Sequence, residues 1–228
     1  MTNVREYNHI DTFLGPGGSK TDKIESCLEK LKISELEQIN EALSFVDHDH
    51  DPIGDWRNQL AADKPTTMFS ELILMRHFRC ELGTNAVELN ATIPDSTKDF
   101  DLRVEWENTT FWIEIRKPDF ADRLDEQVGF ISWDWTPDSI MRKFQRDFEP
   151  ARLNIPDGDV LVLALYLEAM TPQQTAIQRW LGRTGENPEE FADAFIEYTH
   201  LTDTTSLFLR ELTDRGECVS TLIDEIVE

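Results

Sequence analysis

The chain predicts an α/β domain, with a mixed central sheet, an N-terminal helical extension and a C-terminal elaboration. Three observations lead there. Apolar residues recur at helical spacing between residues 21 and 82, they alternate through KDFDLRVEWENTTFWIEIRK (98–117), and they run almost unbroken through DVLVLALYLE (159–168). A run of the last kind is expected of a strand covered on both faces, so 159–168 is assigned to the centre of the sheet.

Composition supports a folded chain. With 228 residues and a hydrophobic fraction of 39%, the protein is long enough to bury a core, and 29% charged residues do not imply disorder. No apolar run reaches about 18 residues. The start MTNVREYNHI lacks the basic lead and apolar centre of a secretory signal, so a soluble cytoplasmic protein without membrane contact is expected. Cys27, Cys80 and Cys218 are scattered, with no CxxC or zinc-type Cys/His spacing, and are read as buried or idle thiols.

The net charge is −23, and only 22 basic residues stand against 45 acidic ones. Such a surface ordinarily repels nucleic acid, whose phosphates need cationic neutralisation. The charge is unevenly spread: residues 64–152 carry 12 bases against 17 acids, the rest 10 against 28. The acid-rich, lysine-poor composition resembles that of halophile proteins, and at molar salt the screening length falls to roughly 3 Å, so net charge no longer decides the partner. The competing readings are an acidic mimic of DNA and a protein that recruits a basic protein partner through its acidic flanks.

Residues 1–20, with Gly15, Pro16, Gly17 and Gly18, read as a flexible lead-in. The segment GPGGSK lacks the GxxxxGK[ST] spacing of a phosphate-binding loop. Residues 21–63 form the helical extension, with Ile24, Leu28 and Leu31 on one stripe and Leu36, Ile39, Leu43 and Val46 on another. His48, Asp49, His50 and Asp51 are four potential ligands in a row, but adjacent side chains diverge and a turn follows, which predicts a solvated loop.

The core is expected over 64–170. A helix opens at Pro65 and Thr67 and runs to Leu82, where Gly83 stops it. Leu74, Met75, Phe78 and Leu82 share a stripe with Glu71 near its centre, an unusual place for a carboxylate unless the helix dipole or a function holds it. A first strand is expected at 86–91, then a hairpin. In its first arm Leu102, Val104 and Trp106 face away from Asp101, Arg103 and Glu105. After a turn at Asn108, Phe111, Ile113 and Ile115 face away from Trp112, Glu114 and Arg116. An antiparallel pair with one wet side shows this alternation without any function. An acidic loop with Trp133 and Trp135 leads to a helix capped by Thr136 and Pro137 and reaching Phe148. Arg142, Lys143 and Arg146 make it the densest cationic cluster in the chain, which a solvated helix face explains as well as a phosphate-contacting one. In the elaboration, 171–228, helices are expected at 171–181 and 187–199. Late strands or short helices are expected at 206–212 and 218–223, around Asp214, Arg215 and Gly216.

The order helix, three strands, basic helix and buried strand, with Asp101 in DLRV and the triplet Glu114-Ile115-Arg116 on successive strands, resembles the PD-(D/E)XK phosphodiesterase superfamily over roughly 67–168. The resemblance implies a restriction-endonuclease-like αβββαβ core and metal-dependent hydrolysis of DNA. It further implies Glu71, Asp101 and Glu114 as ligands to Mg²⁺ or Mn²⁺, two ions or fewer. Asp101 takes the place of the superfamily's Asp, although Asp99 lies on the same face. Arg116 stands where the superfamily has lysine; a guanidinium stays protonated and binds phosphate through its fork, but is no base. Lys143 on the basic helix is the candidate for a relocated lysine. Together Asp101, Glu114, Arg116 and Lys143 form the expected catalytic set, with Arg142, Lys143 and Arg146 contacting DNA. The alternative class is a pseudonuclease, the same fold serving as a nucleic-acid or protein binding module.

Overall fold

A computed structural model describes residues 3–93, 99–116, 155–167, 192–201, 204–211 and 213–227. Four short helices come first: α1 (Asn8–Leu14), α2 (Ser19–Leu28), α3 (Ile33–Leu43) and α4 (Ile53–Ala61). The expectation of a flexible lead-in over 1–20 is corrected here. Ile10, Phe13 and Leu14 are fully buried, and their i, i+3, i+4 spacing gives a short helix one apolar face despite the glycines that follow. Gly15, at φ +66°, ends α1 in a conformation that glycine adopts without strain.

Helix α5 (Pro65–Leu82) begins with proline, whose missing N–H is no loss at that position, and ends at Gly83 with φ +86°. It packs on α3 and α4 on one side and on the sheet on the other. Strands follow at β1 (Val87–Thr92), β2 (Asp99–Trp106), β3 (Thr109–Arg116), β4 (Val160–Leu167), β5 (Ala194–Leu201) and β6 (Thr204–Glu211), with α6 (Glu217–Val227) last. They form one sheet in the order β1-β2-β3-β4-β5-β6. The pairs β3–β4 and β4–β5 are parallel, and the other three are antiparallel.

The two faces of the sheet separate cleanly in the middle strands. Phe111, Ile113 and Ile115 join Val160, Val162 and Ala164, then Ala194, Ile196 and Tyr198, in the core shared with α5 and the N-terminal helices. Trp112, Leu161, Leu163 and Phe195 are buried on the opposite face. Strand β4 is therefore apolar throughout because both its faces are covered, as its sequence predicts.

Other expectations fare differently. The hairpin, the α5 limits and β4 match within a residue or two. Residues 194–201 form strand β5 where a helix is expected. AFIEYTHL supports strand alternation as well as a helical stripe, and pairing with β4 and β6 decides between them. Cys218 and Ile223 lie on a helix, α6. The helices expected at 136–148 and 171–181 fall outside the described residues.

In the segment 48–51, His48, Asp49 and His50 are exposed as expected of a solvated loop, and Asp51 departs from that expectation. Its carboxylate receives two hydrogen bonds from the Arg79 guanidinium, 2.5 Å from Nη1 and 2.8 Å from Nη2, and both side chains are only 2% exposed. Arg79 also donates to the Phe45 carbonyl at 2.8 Å and the Val87 carbonyl at 2.9 Å, tying the loop, α5 and β1 together. His50 remains outside this network, bonded to Asp47 at the surface.

Candidate functional site

The hairpin opens into a fork. Ladder pairing between β2 and β3 runs from Trp106↔Thr109 to Leu102↔Ile113 and stops, although β2 begins at Asp99 and β3 continues to Arg116. Beyond the last rung, 99–100 pair with β1, and 114–116 pair with β4. A side chain bridges the split: the Asp101 carboxylate Oδ2 accepts the Ile115 backbone N–H at 2.6 Å. A charged acceptor on a backbone amide makes a stronger bond than a neutral one, so Asp101 is held firmly at the mouth of the fork.

Asp101 sits at a reversal of the strand faces. Leu102 faces the α5 core, whereas Phe100, two residues earlier, packs on Trp112 of the opposite face with ring centroids 5.6 Å apart. Regular alternation would keep 100 and 102 on one side. Asn90, beside this row on β1, has φ +51°. Asp99 turns outward instead, accepting a bond from Thr92 Oγ1 at 2.7 Å. The two aspartates that share a face in an ideal strand thus have different surroundings, and Asp101 alone spans the fork.

Glu71 reaches the same region from α5. It is only 9% exposed, and its Oε2 accepts the Trp56 indole N–H at 2.5 Å. Burial pushes its carboxyl up to about 7, and the negative charges of Asp101 and Asp55 push in the same direction, against the Trp56 bond. Helix-dipole stabilisation does not explain its position, since the first turn of α5 holds no acid and Glu71 lies beyond it. The preceding residue is also tied down: the buried Tyr198 hydroxyl donates to the Ser70 carbonyl at 2.8 Å. Tyr198 meets Tyr166 edge-on, and its hydroxyl is held well above the usual tyrosine range by burial and the nearby charges of Tyr166, Asp101 and Glu71.

Glu114 is buried, 4% exposed, but β3 alternation puts it with Trp112 on the face opposite Ile113 and Ile115, in the row of Leu163 and Phe195. The Glu71 carboxyl thus feels the charge of Asp101, whereas Glu114 lies across the fork on the other side of the sheet. No group of three His, Cys, Asp or Glu side chains among the described residues is disposed to hold a metal. Arg116 ends β3. Arg142, Lys143 and Arg146 lie outside the described residues.

Arg103, which alternation places on the charged face of the hairpin, is engaged elsewhere. It stacks over Trp112 at 5.7 Å and pairs with Glu88 and Glu105. Three residues of the site are absent from the sequence reading: Trp56, Tyr166 and Tyr198. Each lies far along the chain from Asp101 and carries no spacing motif, so only the fold brings them to it.

No protein-family model, curated protein or solved structure matches the chain. No helix among the described residues is long and apolar enough to cross a membrane. What is established is an α/β protein whose N-terminal helices precede a mixed sheet and a C-terminal helix.

Proposed function

We propose that this protein hydrolyses phosphodiester bonds of DNA with the help of Mg²⁺ or Mn²⁺ at the mouth of the β2–β3 fork. On this reading α5 through β4 is a restriction-endonuclease-like core. The observation that carries the proposal is the Asp101 carboxylate bonded across the fork to Ile115, with the buried acid Glu71 on one side and Glu114 on the next strand. Mg²⁺ is commonly held by one or two carboxylates completed by water and phosphate oxygens, so a cage of three acids is not required. Burial first, and then the charge of Asp101, raise the Glu71 carboxyl, and a dication beside the two acids would favour their charged forms. The donor set fits to that extent.

When bound, the ion would supply Lewis-acid polarisation of a phosphoryl oxygen and an acidified water. The protein's own part is orientation. Ile115 N–H fixes one oxygen of Asp101, and Trp56 fixes one oxygen of Glu71, so neither acid must reorganise when charge develops. Arg116, two residues after Glu114, brings a permanent positive charge suited to a phosphate oxygen, and cannot take a proton from water. Lys143 is the candidate for the remaining cationic role, with Arg142 and Arg146 along the DNA.

The test is cleavage of single-stranded, duplex and branched DNA with Mg²⁺ or Mn²⁺ at high salt, alongside Glu114→Ala and Asp101→Asn. Metal-dependent cleavage lost in both variants is expected. Equal activity in wild type and variants, or none in any of them, would sink the catalytic proposal.

Two observations favour a second reading, a pseudonuclease acting as a nucleic-acid or protein binding module: Glu114 lies on the opposite face of the sheet from the α5 core, and arginine stands in the place of the lysine of the triplet. A calorimetric Mn²⁺ titration distinguishes the two. Binding abolished by Asp101→Asn supports the metal site, and no binding leaves the module.

A further inference from the structure

We infer that Trp56, from the N-terminal helical layer, is a positioning residue for the fork site, fixing the Glu71 carboxylate through its indole N–H. The inference rests on the metal-dependent reading above and extends it to residues 53–61, outside the expected core. Trp56 is fully buried, and its indole N–H is 2.5 Å from Glu71 Oε2. An indole has one donor and no acceptor, and a buried donor left unpaired is costly, so this contact fixes both partners. Its ring lies on the buried side of α4: Leu60, one turn further along, is the other buried residue of that helix, 1% exposed.

The geometry makes Glu71 the junction of two layers. On the α4 side its Oε2 is taken by Trp56, while Asp101 belongs to the sheet and is close enough for each charge to be felt by the other. Next to it, Ser70 is bonded to Tyr198 of β5. The acid is thus fixed in direction from α4, and its helix is fixed from β5. Partners that orient a metal-binding carboxylate typically change metal affinity by about 10- to 100-fold when removed. The helical layer is on this view a structural half of the site, where a bare appendage would leave the site unchanged.

The experiment uses Trp56→Phe, which keeps an aromatic ring and removes the donor, with Leu60→Val as a packing control in the same helix. Two readouts are taken on the full chain: Mn²⁺ affinity by calorimetry, and the indole N–H proton resonances, among which the one missing in Trp56→Phe belongs to Trp56. The expected result is a resonance shifted downfield by the short bond to the carboxylate, broadened first as Mn²⁺ is added. Mn²⁺ affinity should fall about 10-fold or more in Trp56→Phe and stay near wild type in Leu60→Val. Wild-type Mn²⁺ affinity in Trp56→Phe, an equal loss in Leu60→Val, or a Trp56 resonance untouched by bound Mn²⁺ would overturn the positioning role. A wild-type protein that binds no Mn²⁺ would overturn the metal reading itself, a different result from a site that binds metal without regard to Trp56.

Discussion

Glu71→Gln tests the electrostatics of the site through stability. Glutamine keeps the length of the side chain and an oxygen that can accept the Trp56 N–H, and removes the charge. In the folded protein the Glu71 carboxyl is raised from 4.5 to about 7, first by burial and then by Asp101 and Asp55. A raised folded-state pKa means that folding favours the protonated acid. The stability this gives is fully present below pH 4.5 and is lost as pH rises through about 7. At about 1.4 kcal/mol per pH unit, the ionised wild type at pH 8 should be up to about 3 kcal/mol less stable, relative to the glutamine variant, than it is in acid. Urea unfolding of both proteins, followed by circular dichroism between pH 5 and pH 8, measures the difference. Comparison of the pair is necessary because His77, half-buried and pushed down to about 4 by desolvation and Arg76, acts the other way. Its contribution is present above pH 6.5 and lost as pH falls. It is common to both proteins and cancels. An advantage for Glu71→Gln that grows by about 1–3 kcal/mol toward pH 8 is expected. A difference that is constant with pH, or a glutamine variant less stable at pH 8, would refute the reasoning. A growing advantage would identify Glu71 as an acid kept at a cost to stability, which is typical of functional sites.

Arg79→Met should destabilise the protein by about 3–5 kcal/mol, because it leaves Asp51 as an uncompensated buried charge; Arg79→Met combined with Asp51→Leu should recover part of that loss in the same urea experiment. The hairpin turn holds Glu107 at φ +47° and Asn108 at φ +67°, two left-handed residues in a two-residue loop. Glu107→Asn with Asn108→Gly, the preferred pair for such a turn, should add about 0.5–1.5 kcal/mol without altering Mn²⁺ affinity, and a loss of stability would contradict the turn assignment.

The parts legible in the sequence are those governed by neighbours in the chain. Helix α5 announces itself by proline at its start, glycine after its end and an apolar stripe between. The β2–β3 hairpin follows from alternation around Asn108, and β4 from an unbroken apolar run. Glu71 stood out for a local reason too, as a carboxylate on an apolar stripe. Residues 194–201 are not legible in this way, because the eight residues of AFIEYTHL satisfy both periods. Helix α1 is hidden in the sequence because three glycines and a proline follow its single apolar turn.

The amino-acid sequence carries the α/β class, the limits of α5, β3 and β4, and Glu71 as an acid in an unusual place. Only the tertiary structure decided their neighbours. The fork depends on the β2–β3 ladder ending at Leu102↔Ile113 while β3 stays paired with β4, the Asp101 bond to Ile115 exists only where that ladder ends, and Trp56 meets Glu71 through helix packing. The strand face of Glu114 was readable from alternation, but which face α5 would cover was not, since both faces of the sheet are apolar. Local periodicity fixes what each segment becomes, while long-range burial and hydrogen bonding select which segments touch, and the candidate site consists almost wholly of such contacts.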